Sequence, residues 1–266
     1  MTSHNYLFAQ TDNDAALTRL IATAATATGF MKGAPGAALP GWYRPGENNG
    51  AFLTSLYQKI EATYPEAGQP FYAMRLWTNL IWQPCYLAVI GAHLHGGVPE
   101  LGTLSQAMRN IHVDGYRLPA APQFRGALDA MIARAGADLR HYADAVLKDI
   151  NAVTKLKRVP ALRMLGDHLL GLMKRLRHYQ PDICVEEQQR CCVLWQAAMG
   201  LENAGGLEVI DLPDGRAFAI MACKGCCLDY LAMPGTYCDC CPRQKKDVRL
   251  ARQRASAIAE MEMRED

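Results

Sequence analysis

Cys223-Lys-Gly-Cys226-Cys227-Leu-Asp-Tyr-Leu-Ala-Met-Pro-Gly-Thr-Tyr-Cys238-Asp-Cys240-Cys241 holds six of the chain's ten cysteines within nineteen residues. Thiols this dense serve one of three ends: disulfides, a structural metal ion or an iron–sulfur cluster. Just upstream the apolar period changes. Leu207-Glu-Val-Ile-Asp-Leu-Pro-Asp-Gly-Arg-Ala-Phe-Ala-Ile-Met-Ala222 predicts two short strands around Pro213-Asp214-Gly215, a strong hairpin signal. The second strand leads directly into Cys223.

On either side of this stretch the chain reads as helix. After Pro242, residues 243–266 form a tail running from basic to acidic, with Arg243, Lys245, Lys246, Arg249, Arg252 and Arg254. Residues 185–202 carry Cys191-Cys192 beside Val193, Leu194 and Trp195, which reads as a helix with core cysteines. Residues 162–177 are basic on one side through Arg163, Lys174, Arg175 and Arg177, with Lys155, Lys157 and Arg158 upstream. That uniform sign suggests an anionic partner.

Further towards the N-terminus, Thr11 or Asp12 can cap a helix to about residue 28, with Leu17, Leu20 and Ile21 on one face. The Gly- and Pro-rich residues 32–50, including Trp42, Tyr43 and Arg44, read as a packed surface crossing rather than a lid. Phe52, Leu53, Leu56, Tyr57 and Ile60 predict a helix over 51–63, stopped by Pro65. Residues 71–95 read as a helix that kinks or splits at Pro84. His93 and His95 lie two apart, a spacing that points them to different sides of a helix, so they are not taken as a ligand pair. Residues 116–122 read as a Pro-containing connector, and 123–148 as a helix. No internal repeat is visible.

The expected fold class is therefore mainly α: a helical domain with a small β-hairpin leading into a C-terminal cysteine cluster module. The expected division is a helical body over 1–205, the hairpin and cluster module over 206–242, and a basic helical tail over 243–266.

Half of the 266 residues are apolar, enough to bury a substantial core. The net charge of +2 excludes a general polyelectrolyte binder, and no nucleic-acid partner is expected. The first twenty residues carry Asp12, Asp14 and Arg19 and lack a basic start followed by an apolar run, so the expected compartment is the cytoplasm. A reducing compartment argues against disulfides and leaves a metal or a cluster. No Asp, Glu, Lys or Arg lies between Arg75 and Glu100, but Thr78, Asn79, Gln83, Pro84, His93, His95 and a Gly-Gly pair interrupt that window. A buried core helix is expected there rather than a membrane span, while peripheral membrane association stays compatible with the sequence.

Two ligand sets can be drawn. Cys223-x2-Cys226 with Cys238-x2-Cys241 has the pattern of a tetrahedral zinc ribbon, a binding module without catalysis. Cys226-Cys227 with Cys238-x2-Cys241 offers two thiolates to each iron of a two-iron cluster. Adjacent residues sit about 3.8 Å apart at Cα, so both can ligate only where the backbone leaves the strand. Gly225 supplies that freedom.

The spacing Cys226-Cys227-x10-Cys238-x2-Cys241 resembles the motif that ends the FhuF-type ferric-siderophore reductases. The match covers about sixteen residues, and the vicinal pair makes it specific. A helical body of comparable length, the Leu76-Trp77…Pro84 segment and the hairpin add diffuse similarity. The resemblance implies a 2Fe-2S cluster held by Cys226, Cys227, Cys238 and Cys241. It also implies an oxidoreductase of the cytoplasm that reduces siderophore-bound iron(III), often of the hydroxamate type, by one electron. Cys223 and Cys240 are extra thiols and alternate ligands, and the tail lies beyond the family motif. An iron or redox sensor built on the same cluster is a third class.

The chemistry is self-consistent. Ferric iron is a hard cation held tightly by oxygen donors, and the ferrous ion is held more loosely, so one electron suffices for release. Four-thiolate clusters reach potentials of about −400 mV. The sequence contains no G-x-G-x-x-G and no P-loop, so an external donor such as a ferredoxin or flavin reductase is expected.

Overall fold

The computed structural model describes residues 11–212 and 215–265, with side chains as far as residue 260. Helix accounts for 57% of the residues, so the chain is mainly α as expected. It forms two compact units, residues 1–156 and residues 157–266. The boundary therefore falls well before residue 205. Two helices assigned by sequence to the body belong with the cysteine-bearing hairpin.

In the first unit, α1 (Asp12–Thr28) starts in a capping box. The Thr11 hydroxyl accepts the Asp14 N–H at 3.2 Å, and the Asp14 carboxylate accepts the Thr11 N–H at 3.0 Å. It is followed by β1 (Gly33–Pro35), α2 (Gly50–Thr63) and α3 (Gln69–Ile90). Of the two outcomes expected at Pro84, a kink or a split, the split does not occur. The helix runs through it, because Pro84 lies in a stretch buried on nearly every side, where packing offsets the lost backbone bond. A π turn over Gly91–His95 follows, and the His95 Nε2 lies 2.8 Å from Gln123 Oε1.

A three-stranded sheet forms where the residue pattern carries no strand signal: β2 (Ser105–Arg109), β3 (His112–Leu118) and β1, in the order β1-β3-β2. Tyr116, Arg117 and Leu118 are thus strand and not connector. Contacts far along the chain hold this ribbon. Asn79 of α3 donates to the Ile111 carbonyl at 3.0 Å and accepts from the Val113 N–H at 3.1 Å. Trp82 Nε1 donates to the Val113 carbonyl at 3.1 Å. The last helix of this unit, α4 (Leu128–Asn151), pins the 32–50 crossing. The buried Tyr43 hydroxyl and Asn49 Nδ2 donate to Asp149 Oδ2 at 3.0 and 2.9 Å.

The second unit contains α5 (Arg158–Tyr179), α6 (Val185–Met199), β4 (Gly205–Asp211), β5 (Ala217–Cys223), the short α7 (Asp229–Ala232) and α8 (Lys246–Glu265). β4 and β5 pair antiparallel from Gly205–Cys223 to Asp211–Ala217, as the hairpin signal predicts. Of the anticipated turn, Pro213 and Asp214 lie outside the described residues. Gln188 and Gln189 of α6 tie the layer together, donating to the Met173 carbonyl at 2.8 Å and the Leu207 carbonyl at 3.0 Å. Cys191 and Cys192 are buried in the core as expected.

The tail helix is part of this fold. Gln253 of α8 covers the free edge of β5, its amide accepting from the Met221 N–H at 2.8 Å and donating to the Met221 carbonyl at 3.0 Å. Ala257, Ile258 and Leu250 pack on Leu212, Phe218 and Ile220. Lys174 and Arg177 of α5 lie over the Phe218 ring, 5.3 and 4.8 Å from its centroid, and Lys174 and His178 reach Glu260 at 3.2 and 2.8 Å. Part of the basic run on α5 thus holds the tail in place. Among the described residues, no helix is long and apolar enough to cross a membrane.

Candidate metal centre

β5 ends at the buried Cys223, and the next two residues are clamped to α5. Asp167 accepts the Lys224 N–H at 3.1 Å and the Gly225 N–H at 2.8 Å. The Cys223 thiol lies near the same carboxylate and draws it down. Gly225 is needed for close approach. A Cβ there would sit 2.7 Å from Asp167 Oδ2, 2.8 Å from Met164 Sδ and 2.9 Å from the Met164 nitrogen. Its φ is not in the left-handed region, so lack of space, and not backbone freedom, explains the glycine.

The chain then turns sharply. Cys226 and Cys227 are half-buried, and each sulfur accepts a backbone N–H two residues on, from Leu228 and Asp229 respectively. Such bonds favour a thiolate over a thiol. Leu228 adopts a left-handed conformation with φ 63°, a strained state for a side-chain-bearing residue that costs about 1–2 kcal/mol. Beyond α7, a turn closed by the Cys241 N–H on the Cys238 carbonyl at 3.0 Å brings the second pair into place. Gln244 Nε2 also donates to the Cys238 carbonyl, at 2.7 Å. Cys238 is exposed, Cys240 half-buried and Cys241 buried.

All six thiols converge. Cys227 and Cys241 lie close enough to Cys226 to raise its thiol, Cys227 lies against Cys238, and Cys238 lies beside Cys241. The four residues of the Cys-Cys-x10-Cys-x2-Cys motif therefore form a ring of neighbours, and Cys240 lies against it at Cys238 and against Cys223 on its other side.

Neighbouring thiols and burial raise Cys226, Cys227, Cys238 and Cys240. Contact with Cys238, then burial, pushes the Cys227 thiol far up. Contact with Cys227 draws Cys238 down, but contact with Cys240 and burial win and push it up to about 12. Contact with Cys223 raises Cys240 well above the ordinary thiol range. Burial lifts Asp167 to about 7 against the bonds from Lys224 and Gly225 and the nearby Cys223 thiol. A bound metal ion displaces such thiol protons.

Among the described residues, no three or more His, Cys, Asp or Glu side chains are placed so that they could hold a metal ion. The ring offers four thiols in two sequence pairs, a donor type used both by structural zinc and by iron–sulfur clusters.

Around the ring, Arg243 lies over the Tyr230 ring at 4.4 Å, and Tyr230 stacks on Tyr237 at 6.0 Å. Lys224, Arg243, Lys245 and Lys246 are exposed or half-exposed. A cavity of about 210 Å³ lies between the start of α5 and the α6–β4 connection, lined by Leu162, Arg163, Leu201, Glu202 and Asn203 among others. Arg163 also acts electrostatically on Asp167, which links this cavity to the thiols.

Asp167 is the functional residue that sequence reasoning missed. A signal for it exists: it stands between Met164 and Leu170 on the apolar face of α5, where a carboxylate needs a partner. The chain matches no known family model, and no solved structure matches it.

Proposed function

We propose that the protein is a cytoplasmic ferric-siderophore reductase that carries one electron through a 2Fe-2S cluster on Cys226, Cys227, Cys238 and Cys241. The observation that carries this reading is that the turns after Cys227 and at Cys238–Cys241 bring Cys226, Cys227, Cys238 and Cys241 beside one another.

The cluster supplies a one-electron couple of low potential. The protein's own residues do the rest. The exposed position of Cys238 brings one corner of the centre to the surface, where a donor or a chelate can approach. Arg243, held over Tyr230, places a cation beside Cys226. Together with Lys224, Lys245 and Lys246 it favours an anionic chelate or an acidic ferredoxin-like donor by long-range attraction. The cavity lined by Arg163 and Asn203 can take one polar arm of a hydroxamate chelate, the substrate class proposed here. Electron transfer to the ferric ion weakens its hold on the oxygen donors, and capture of the ferrous product pulls the reaction forward.

The test is anaerobic. Purified protein should be red-brown, contain iron and acid-labile sulfide, and bleach with dithionite. Mixed after reduction with a panel of ferric siderophores, it should regain its visible absorption as ferrous iron appears. A colourless protein containing zinc overturns the reading. Turnover should also fall with salt, and a flat response would remove the electrostatic role of the basic residues.

A further inference from the structure

We propose that the outer edge of β4 at Val209–Asp211 pairs with the same edge of a second copy of this chain, joining two hairpins into one four-stranded sheet. The proposal concerns the hairpin and is independent of what the thiols hold. Which way each backbone group of β4 points follows from the parts of the sheet edge that are already covered. The Gly205 and Leu207 carbonyls accept from Gln196 and Gln189 of α6 at 3.1 and 3.0 Å. Odd-numbered residues of β4 therefore turn their backbone groups away from β5. Met221, opposite Leu207 on β5, likewise turns its N–H and carbonyl outward, to Gln253. The Leu212 N–H donates to the Arg216 carbonyl at 2.9 Å, so the even-numbered set points inward.

Val209 and Asp211 continue the odd-numbered set and aim an N–H and a carbonyl each out of the sheet. No described residue bonds those four groups, and both residues are exposed, Val209 by 44%. The β5 edge is covered by α8 and the first half of the β4 edge by α6, while this second half is open. It carries no Lys or Pro, and its register with β5 is unbroken. Such an edge is a template for another strand.

The strand is its own complement. A two-fold axis through Ile210 sets Val209 against Asp211 of the second copy, and Asp211 against its Val209. Each of these pairs exchanges both backbone bonds, and the two Ile210 residues meet in the closer, non-hydrogen-bonded pair between them. Glu208 faces Leu212, so no like charges are directly opposed. This register uses only the open half of the edge and leaves Leu207 to α6. Ile210 also sits, with Leu250 and Ile258, at the half-buried margin of the cluster of Leu212, Phe218, Ile220 and Ala257. Pairing at Ile210 continues that cluster across the axis. The contact is short, so the dimer is weak and reversible.

The experiment is sedimentation of the full chain over a range of concentrations, as wild type and as Val209→Pro. The wild type should show a monomer–dimer equilibrium. Proline at 209 removes the outward N–H without touching a bond to β5, and an edge position tolerates it. It should raise the dimer dissociation constant by about tenfold or more, since two backbone bonds are lost per dimer. If Val209→Pro does not fold, Asp211→Pro removes the other outward donor and should act the same way. Residue-resolved amide exchange of the wild type is a second measurement. The Val209 and Asp211 amides should exchange more slowly as protein concentration rises, and the inward amides of Glu208 and Ile210 should not change. A wild type that is monomeric throughout, a dimer untouched by the proline variants, or outward amides indifferent to concentration overturns the proposal.

Discussion

Residues 1–156 and residues 157–266 both bury polar groups, and they do so to opposite effect. In the first unit, Tyr142 on α4 donates to Gln106 Oε1 at 2.6 Å, with both residues sealed in an aliphatic and aromatic core. Neither group is open to exchange with solvent, and the bond fixes how α4 meets the sheet. In the second unit the buried carboxylate of Asp167 heads a line of thiols that ends at the exposed Cys238. A left-handed Leu228 and a glycine with no room for a methyl group flank that line. Local rules are kept at the first of these places and broken at the second. Such breaks persist where the surrounding structure is committed to a site.

The contrast can be broken in order of expected effect. Cys227→Ser removes one ring thiol and should abolish iron and sulfide loading, whereas Cys85→Ser in the buried core of the first unit should leave loading intact. Metal analysis of both variants decides this, and equal loss in both would erase the distinction between the units. Tyr142→Phe leaves Gln106 Oε1 without its donor and should destabilise the first unit by about 1–3 kcal/mol. Segment-resolved hydrogen exchange should show the loss in α4 and the β1-β3-β2 sheet, with the metal content unchanged.

Gln253→Ala uncovers the β5 edge and should cost about 1 kcal/mol, read as faster exchange of the Met221 amide. Protection unaffected by this change would mean that the tail is not a working part of the fold.

The smallest effect is a slope with pH. Burial, aided by Arg175, lowers His168 to about 4, below its unfolded value of about 6.5. Unfolding therefore takes up a proton, and the contribution of His168 to stability falls as pH drops from about 6.5 towards 4. Asp167, raised to about 7, works in the reverse sense: its contribution is present at low pH and is lost as pH rises through 7. In the metal-free protein the two slopes oppose each other. Asp167→Asn should expose the His168 slope, at most about 1.4 kcal/mol per pH unit in a denaturant titration. A flat profile in that variant would mean that His168 does not set the slope.

Much of the architecture is legible in the residue pattern. The cap at Thr11 or Asp12, the apolar faces of α1 and α2, and the change of period at Leu207 are local signals, and each matches an element of the fold, with Thr11 as the cap. The missed sheet shows the limit of such signals. Ser105–Arg109 has neither β-branched enrichment nor clean alternation, and it is a strand because Asn79 and Trp82 of α3 bond its partner ribbon. The compact units divide the chain between residues 156 and 157 and not at 205 for a related reason. Helices α5 and α6 look like more of the preceding bundle, yet their glutamines and Asp167 serve the hairpin and the thiols.

The sequence by itself determined the thiol inventory, the helical class and the hairpin that delivers the chain to Cys223. These depend on residue type and short spacing, which a linear chain displays in full. Tertiary structure alone decided which of the six thiols are buried and which reach the surface, the squeeze that requires glycine at 225, and the role of the tail as a cover for β5. Each depends on a contact between residues far apart in the chain, such as Asp167 with Gly225 or Gln253 with Met221. No spacing rule in the sequence encodes those approaches.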